Sequence, residues 1–365
     1  MSLKKNAVAV ISSGNGGQSL AAYYALHGFE VRLYVREAER VAMFPSRDFS
    51  LSGVEEGIGR LDLISCRMEE VLRDASLVMV TTPAQYHAVI ARTAAPFLQD
   101  GQTVVLNPGR TFGVLEFDAA LRRSGCGAQI RLAEADTFLF TCRCSRIGRP
   151  VIYRIKDELK IAALHPEDTP AVVGQLRELF PCVQPAQSIL ETGLSNMGIL
   201  FHPVPALMNL VRIEAGEDFL YYHEGISPLV ASVLERLDQE RVAVARALGV
   251  PVLPVLDWLH SKYGSRGGSL YEALQQTEAY AAVLGPKDIH TRYLYEDVPT
   301  GCVPLLALGR LLGLRMPVTQ SVVQWASTVC GTDFYAIGRN EMRLDLSSLL
   351  SNPSPAPQIC AAGAD

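Results

Sequence analysis

The hydrophobic pattern changes character partway along the chain. In the first half, short apolar, β-prone runs alternate with helix-length segments. Residues 7–11 (AVAVI) form a continuous apolar run, as expected of a strand buried on both faces of a parallel sheet. Glycines 14, 16 and 17 follow and supply a tight turn. Residues 19–27 then predict a helix closed by Gly28, and 30–35 a second strand. Strand, glycine loop, helix and strand together have the size of a βαβ unit. Residues 77–82 and 103–106 predict further buried strands, with a helix between them and another over 114–122. Residues 130–132, 151–155 and 160–164 complete the expected strands.

After about residue 190 the strand-like pattern stops. Residues 229–248 repeat apolar positions at helical spacing and end on Gly249 and Pro251. Helices are also expected over 270–284, 304–312 and 318–328. The expected fold class is therefore α/β + α. A Rossmann-type dinucleotide-binding domain spans 1–188, and an all-helical substrate domain spans 189–350. The active site is expected in the cleft between them. The small-residue, Pro-rich tail 351–365 is expected to be disordered.

Composition narrows the partners. The chain has 365 residues, a formal net charge of -5 and 19% charged residues, which gives no electrostatic footprint for nucleic acid or an anionic membrane. Its apolar runs are short and broken, so no transmembrane segment is expected. The lysine pair at 4 and 5 precedes an apolar run too short for a secretory signal. Eight cysteines are scattered with no C-x-x-C pair. They read as free thiols of a reducing, cytoplasmic compartment, and no metal site is expected.

The glycine loop carries the first chemistry. Against the dinucleotide fingerprint G-x-G-x-x-G, this chain has Ser12, Gly14 and Gly17. The loop residues Ser13, Gly14, Asn15, Gly16 and Gly17 would present backbone N–H groups and a helix N-terminus to a pyrophosphate. A plain βα turn with no ligand is the alternative. Where an acidic residue would hold the adenine ribose of NAD, the chain reads Val35-Arg36. Without a carboxylate there, Arg36 is free to clamp the 2′-phosphate of NADP(H), assisted by Arg40, and NADP(H) is favoured over NAD(H). The alternative is a solvated surface arginine. Thr82-Pro83 and Asn107-Pro108-Gly109-Arg110 follow strand ends, where ligands bind in open α/β sheets.

The helical half concentrates polar residues in three stretches: GLSNMGILFHPVPALMN, YYHEGISPLVASVLERLDQER and HTRYLYEDVPTG. His202 lies in an apolar run before Pro203. Alone, such a histidine is more often a packed core residue. A catalytic imidazole needs a carboxylate on its other nitrogen, and Asp297 and Glu296 are the candidates.

These stretches, with the SSGNGGQSLA loop and TCR at 141–143, resemble the octopine/nopaline (opine) dehydrogenases over about residues 6–330. The resemblance implies NAD(P)H-dependent reductive condensation of a 2-oxo acid, pyruvate or 2-oxoglutarate, with the amino group of an amino acid. It implies His202 as acid/base, Asp297 as its orienting partner and Asn196 as a substrate hydrogen-bonding residue. Arg292 matches a position that holds a substrate carboxylate. Such a reaction has two carboxylates to anchor, and Arg143 is a second, weaker candidate. The departure at Ser12 leaves the loop intact.

Two other readings stay open. A reductase of the ketopantoate or glycerol-3-phosphate type would be expected to use a lysine of the helical half, where the chain has only Lys262 and Lys287. A non-catalytic NADP-sensing protein would have no use for the histidine and carboxylate. Nothing in the residues names the amino acid or fixes the oligomeric state; a homodimer through helical-domain surfaces is compatible with them.

Overall fold

The computed structural model describes residues 5–351. They form two compact units that divide between Asn196 and Met197. The tail expected from 351 lies, from residue 352 on, outside the described residues.

The first unit is built on strands β1 (Lys5–Ile11), β2 (Phe29–Tyr34), β3 (Asp48–Gly53), β4 (Gly57–Arg60), β5 (Leu63–Ser65), β6 (Leu77–Val80), β7 (Thr103–Leu106), β8 (Arg131–Ala135), β9 (Phe140–Arg146), β10 (Arg149–Ile155), β11 (Leu159–Ala163) and β12 (Val183–Pro185). Eight of them make one sheet in the order β12-β11-β8-β7-β6-β1-β2-β5. Neighbours run parallel except β8 and β11. The apolar run at 8–11 is buried throughout, as a strand covered on both faces requires. Ile11 pairs with Tyr34 on one side and Val80 on the other, and Val80 pairs with Leu106. The carboxyl ends of β2, β1, β6 and β7 therefore lie side by side along one rim of the sheet. This is the doubly wound arrangement expected, with its ligand edge at the strands' carboxyl ends.

Helix α1 (Asn15–Leu26) starts earlier than the expected residue 19, so Gly16 and Gly17 lie in its first turn. A second sheet, β4-β3-β10-β9, packs on α1. Gly59 of β4 permits this, since a Cβ there would lie 2.4 Å from the Ala22 carbonyl oxygen of α1. The expected break at 188 falls just ahead of helix Ile189–Leu194, which is buried along its length against β8 and β11.

In the second unit, helix Pro228–Ala247 matches its apolar period closely. The Ser227 hydroxyl accepts from Val230 N at 3.3 Å, and Pro228 sits at the first helical position, where no N–H is needed. The polar residues of LDQER prove structural. Arg241 is fully buried and donates to Asp238 Oδ1 and to the Leu253 carbonyl, while Asp238 Oδ2 accepts from Val255 N. Glu240 accepts from Val318 N and Thr319 N, both at 2.8 Å, and so caps helix Pro317–Cys330 with a negative charge. The helix expected over 270–284 breaks instead into Leu270–Gln275 and a 3₁₀ turn, Glu278–Tyr280. Among the described residues the cysteines are free thiols, and no helix is long and apolar enough to cross a membrane.

Candidate active site

The loop after β1 is shaped by contacts that only glycine allows. A Cβ on Gly17 would stand 1.9 Å from the Ser12 carbonyl oxygen. Ser12, in the fingerprint's first glycine position, adopts φ 154°, and its hydroxyl accepts from Gly14 N at 3.2 Å. That bond offsets part of the strain of a side chain there. Gln18 braces the loop by donating to Ser13 O at 2.8 Å, and its own Oε1 accepts from Gly148 N. Asn15 Oδ1 accepts from Cys144 N of β9. Gly14 provides no side-chain cap for α1, and its first turn holds no acidic residue. The helix N-terminus thus keeps its N–H groups and positive end for an anion.

The neighbouring strand ends carry buried polar atoms without a protein partner among the described residues: Thr81 Oγ1 and Thr82 Oγ1 after β6, ahead of Pro83, and Asn107 Nδ2 after β7. Such groups are expensive to bury unsatisfied. A dinucleotide laid along this edge would supply partners, so the residues present fit the cofactor. Beyond β2, Val35 is buried and Arg36 is exposed and ion-paired with Glu37. Arg40 of helix α2 (Ala38–Ala42) donates to Ser13 O at 3.4 Å, which links this corner to the glycine loop.

The turn after β7 contains a cis Asn107–Pro108 bond and left-handed residues at Arg110 and Phe112, φ 59° and 61°. Buried Glu134 of β8 pins the segment beyond this turn, accepting from Val114 N at 3.0 Å and from the Thr192 hydroxyl at 2.8 Å. Asn196 is buried and its amide is engaged here. Its Nδ2 donates to the Thr111 hydroxyl at 3.3 Å, and its Oδ1 accepts from Arg110 Nη1 at 3.4 Å. Arg143 lies on the exposed side of β9, opposite Val151 of β10.

In the second unit the structure brings together His202 and Asp297. His202 sits at the junction of helices Gly198–Phe201 and Pro203–Met208, where Pro203 forces a new helix start. Asp297 follows helix Arg292–Tyr295 and leads into the wide π-helical turn Val298–Cys302, a distortion that re-aims the side chains around it. His202 Nδ1 lies 2.7 Å from Asp297 Oδ2, and the carboxylate is fully buried. A carboxylate only accepts, so Nδ1 carries a proton, and in the neutral ring the lone pair is then on Nε2. Tyr293 stacks on the imidazole at 4.3 Å, and the Tyr221 hydroxyl donates to the His202 carbonyl at 2.6 Å. Burial, with neighbouring phenols and Asp297, pushes the Tyr221 hydroxyl well above the usual phenol range, so it stays a neutral donor. Glu296, the other candidate carboxylate, turns to Arg292 instead and pairs with its Nε at 3.1 Å, leaving Arg292 half-exposed. Tyr293 and Tyr221 are additions to the residues read from sequence, whereas Arg110 is read there only as part of the turn after β7. Tyr293 and Tyr221 lie inside the quoted HTRYLYEDVPTG and YYHEGISP stretches.

Comparison with known proteins bears on both units. Residues 185–330 match the sequence profile of the NAD/NADP octopine/nopaline dehydrogenase alpha-helical domain. An opine dehydrogenase of Arthrobacter sp. (strain 1C) is 35% identical over 350 residues, 95% of this chain and 97% of that protein. The solved structure of an octopine dehydrogenase with NADH and L-arginine superposes with a TM-score of 0.81 at 21% identity, covering 96% of this chain and 98% of that one. A yersinopine dehydrogenase with NADP+ bound gives 0.75 at 16% identity, covering 94% of each chain.

Proposed function

The chain belongs to the octopine/nopaline (opine) dehydrogenase family of NAD(P)-dependent oxidoreductases, and on that premise we propose that it condenses a 2-oxo acid with an L-amino acid and reduces the product to an N-(carboxyalkyl) amino acid. The observation that carries the reading is the imidazole held by a buried carboxylate, His202 to Asp297 at 2.7 Å. The oxo acid is pyruvate or 2-oxoglutarate.

His202 Nε2 removes a proton from the substrate ammonium group and so frees a nucleophilic amine. Addition to the oxo carbon gives a carbinolamine. The imidazolium returns the proton to its hydroxyl, which leaves as water and yields a C=N bond. Asp297 stabilises the imidazolium between these transfers and fixes the tautomer. When bound, the nicotinamide supplies the hydride that reduces the C=N carbon. Ser13, Gly14, Asn15, Gly16 and Gly17 would hold the cofactor's pyrophosphate, with Thr82, Pro83 and Asn107 beside its nicotinamide half. Arg36 would meet a 2′-phosphate, which favours NADP(H); NAD(H) remains the second cofactor.

Two substrate carboxylates need anchors, and a guanidinium offers a two-pronged one. Arg292 takes one. For the other, half-buried Arg110 is better prepared than exposed Arg143, because Asn196 already orders its guanidinium. Asn196 then acts as a positioning residue for Arg110 rather than as a direct donor to substrate.

A lysine-dependent reductase fits less well. Lys287 is engaged by Asp218 and the Gly216 carbonyl, Lys262 lies in the last turn of helix Val255–Tyr263, and the buried carboxylate of Asp297 is given to His202 rather than to a lysine. The test is product identity. With a 15N-labelled amino acid, NADPH and an oxo acid, mass spectrometry should find one product that retains the label and both carbon skeletons. A reduced 2-hydroxy acid and unchanged amino acid would overturn the reading.

A further inference from the structure

The turn that carries Arg110, between β7 and helix Gly113–Arg123, holds two residues in a sparsely populated conformation. Arg110 and Phe112 are both left-handed, φ 59° and 61°, which a residue with a Cβ adopts only where its surroundings hold it. The holding groups come from β8 and from residues 192–196.

Thr111, between the two left-handed residues, is buried, and its hydroxyl donates to the Gly193 carbonyl at 3.0 Å. Phe112 lies against the same glycine, since a Cβ on Gly193 would stand 3.0 Å from two of its ring atoms. Thr192, one residue earlier, donates to Glu134 Oε1 at 2.8 Å, and Glu134 Oε2 accepts from Val114 N at 3.0 Å. The Glu134 carboxylate also fills the hollow of the turn: a Cβ on Gly109 would lie 2.4 Å from Oε2. Residues 110–114 are thus fastened to residues 192–196 by buried polar bonds, directly at Thr111 and through Glu134 at Val114.

The proton count at Thr111 orients the Asn196 amide. A carbonyl only accepts, so the single hydroxyl proton goes to Gly193. The Thr111 oxygen is left as an acceptor and takes Asn196 Nδ2 at 3.3 Å. That turns Oδ1 toward Arg110, whose guanidinium only donates, at 3.4 Å. Without the hydroxyl, the amide loses the acceptor that fixes its direction, and a flipped amide would set one donor against another.

We infer that Thr111 and Glu134 are positioning residues of the reaction: Thr111 sets the Asn196 amide toward Arg110, and Glu134, with Thr192, holds the left-handed turn from which Arg110 projects. This rests on the reading above in which Arg110 anchors a substrate carboxylate. Thr111 and Glu134 are buried, so they act through the place and aim of one guanidinium.

The experiment measures kcat, KM for the oxo acid, KM for the amino acid, and Tm in Arg110→Lys, Thr111→Val, Thr111→Ser and Glu134→Gln. Thr111→Val keeps the branched shape and drops the hydroxyl. It should raise, by roughly tenfold, the KM of whichever substrate Arg110→Lys affects, and leave the other KM and kcat within about twofold. Thr111→Ser keeps the hydroxyl and should hold that KM near its original value. Glu134→Gln should raise the same KM, and Thr192→Val, which removes the bond at Oε1, carries the same test if Glu134→Gln does not fold. In an Arg110→Lys background Thr111→Val should add almost nothing to KM, because the aimed fork is already lost. A purely structural role would lower Tm and leave both KM values alone or raise them together. Either result, fully additive effects, or a Thr111→Ser variant as impaired as Thr111→Val overturns the inference, while a selective Arg110→Lys effect keeps the anchor. Arg110→Lys with neither KM changed overturns the anchor and this inference with it.

Discussion

His202 and Asp297, 95 positions apart in the chain, meet at 2.7 Å through Nδ1 and Oδ2, with the carboxylate wholly out of solvent. The pair fixes which ring nitrogen faces the chemistry. Asp297→Asn should leave the ring in place but allow the wrong tautomer, lowering kcat by roughly 10³–10⁴-fold. His202→Ala should abolish turnover. NADPH affinity, read by fluorescence titration, should be almost unchanged in both variants. Lost cofactor binding in a folded His202→Ala protein would count against the assignment.

The second prediction concerns the adenosine end of the cofactor. Arg36 is exposed and ion-paired with Glu37, whereas Arg40 reaches the Ser13 carbonyl. A charged hydrogen bond to phosphate is worth about 1.5–3 kcal/mol, so Arg36→Ala should weaken NADPH binding roughly 10- to 100-fold and spare NADH. Arg40→Ala should weaken both, because it also loosens the glycine loop. Equal losses for the two cofactors in Arg36→Ala would sink the 2′-phosphate role.

The glycine loop gives a third. Gly17→Ala puts a methyl group 1.9 Å from backbone at Ser12, which no side-chain rotation relieves. The loop must open or α1 must shift, at a cost of about 1–3 kcal/mol in stability. Calorimetry should show a lower Tm, and both cofactors should bind weakly. A variant that binds NADPH normally would mean that the loop is not the pyrophosphate cradle.

The anchors separate by substrate. Arg292→Lys and Arg110→Lys keep the charge but lose the planar fork. Each should raise KM for one substrate by roughly tenfold or more and leave the other nearly unchanged. Asn196→Ala should reproduce the Arg110 effect more mildly, since it removes the bond at 3.4 Å that orders the guanidinium. Arg143→Ala should matter least. If it alone raises a KM, the anchor belongs to β9.

How much of this was legible in the sequence depends on range. The apolar run at 7–11, the glycines after it and the apolar period of helix Pro228–Ala247 are local signals, and each element stands within a few residues of its expected place. The sheet β4-β3-β10-β9 was not legible beyond β10. GIGR and FTCRCSR have little apolar alternation, and β3 meets β10 only through pairing across about a hundred residues, such as Ser52 with Val151. The helix expected over 270–284 ends early because Thr277 turns its hydroxyl onto the Ala273 carbonyl, and Tyr280 stacks on Tyr222. His202 and Asp297 were each visible as candidates. Their meeting was not, since no local pattern encodes a contact between a helix junction and a π-helical turn. The substrate role of Asn196 came from the family resemblance, and its bonds to Arg110 and Thr111 join residues 85 and 86 positions apart, which no local pattern encodes.

The most direct measurement is nicotinamide absorbance at steady state on the purified protein, crossing NADPH and NADH with pyruvate and 2-oxoglutarate, each with and without pooled amino acids. Oxidation should require both an oxo acid and an amino acid, and NADPH should be the better donor. Oxidation with the oxo acid alone would make the protein a hydroxy-acid reductase. Tight NADPH binding with no oxidation under any pair would contradict the catalytic role given to His202 and Asp297.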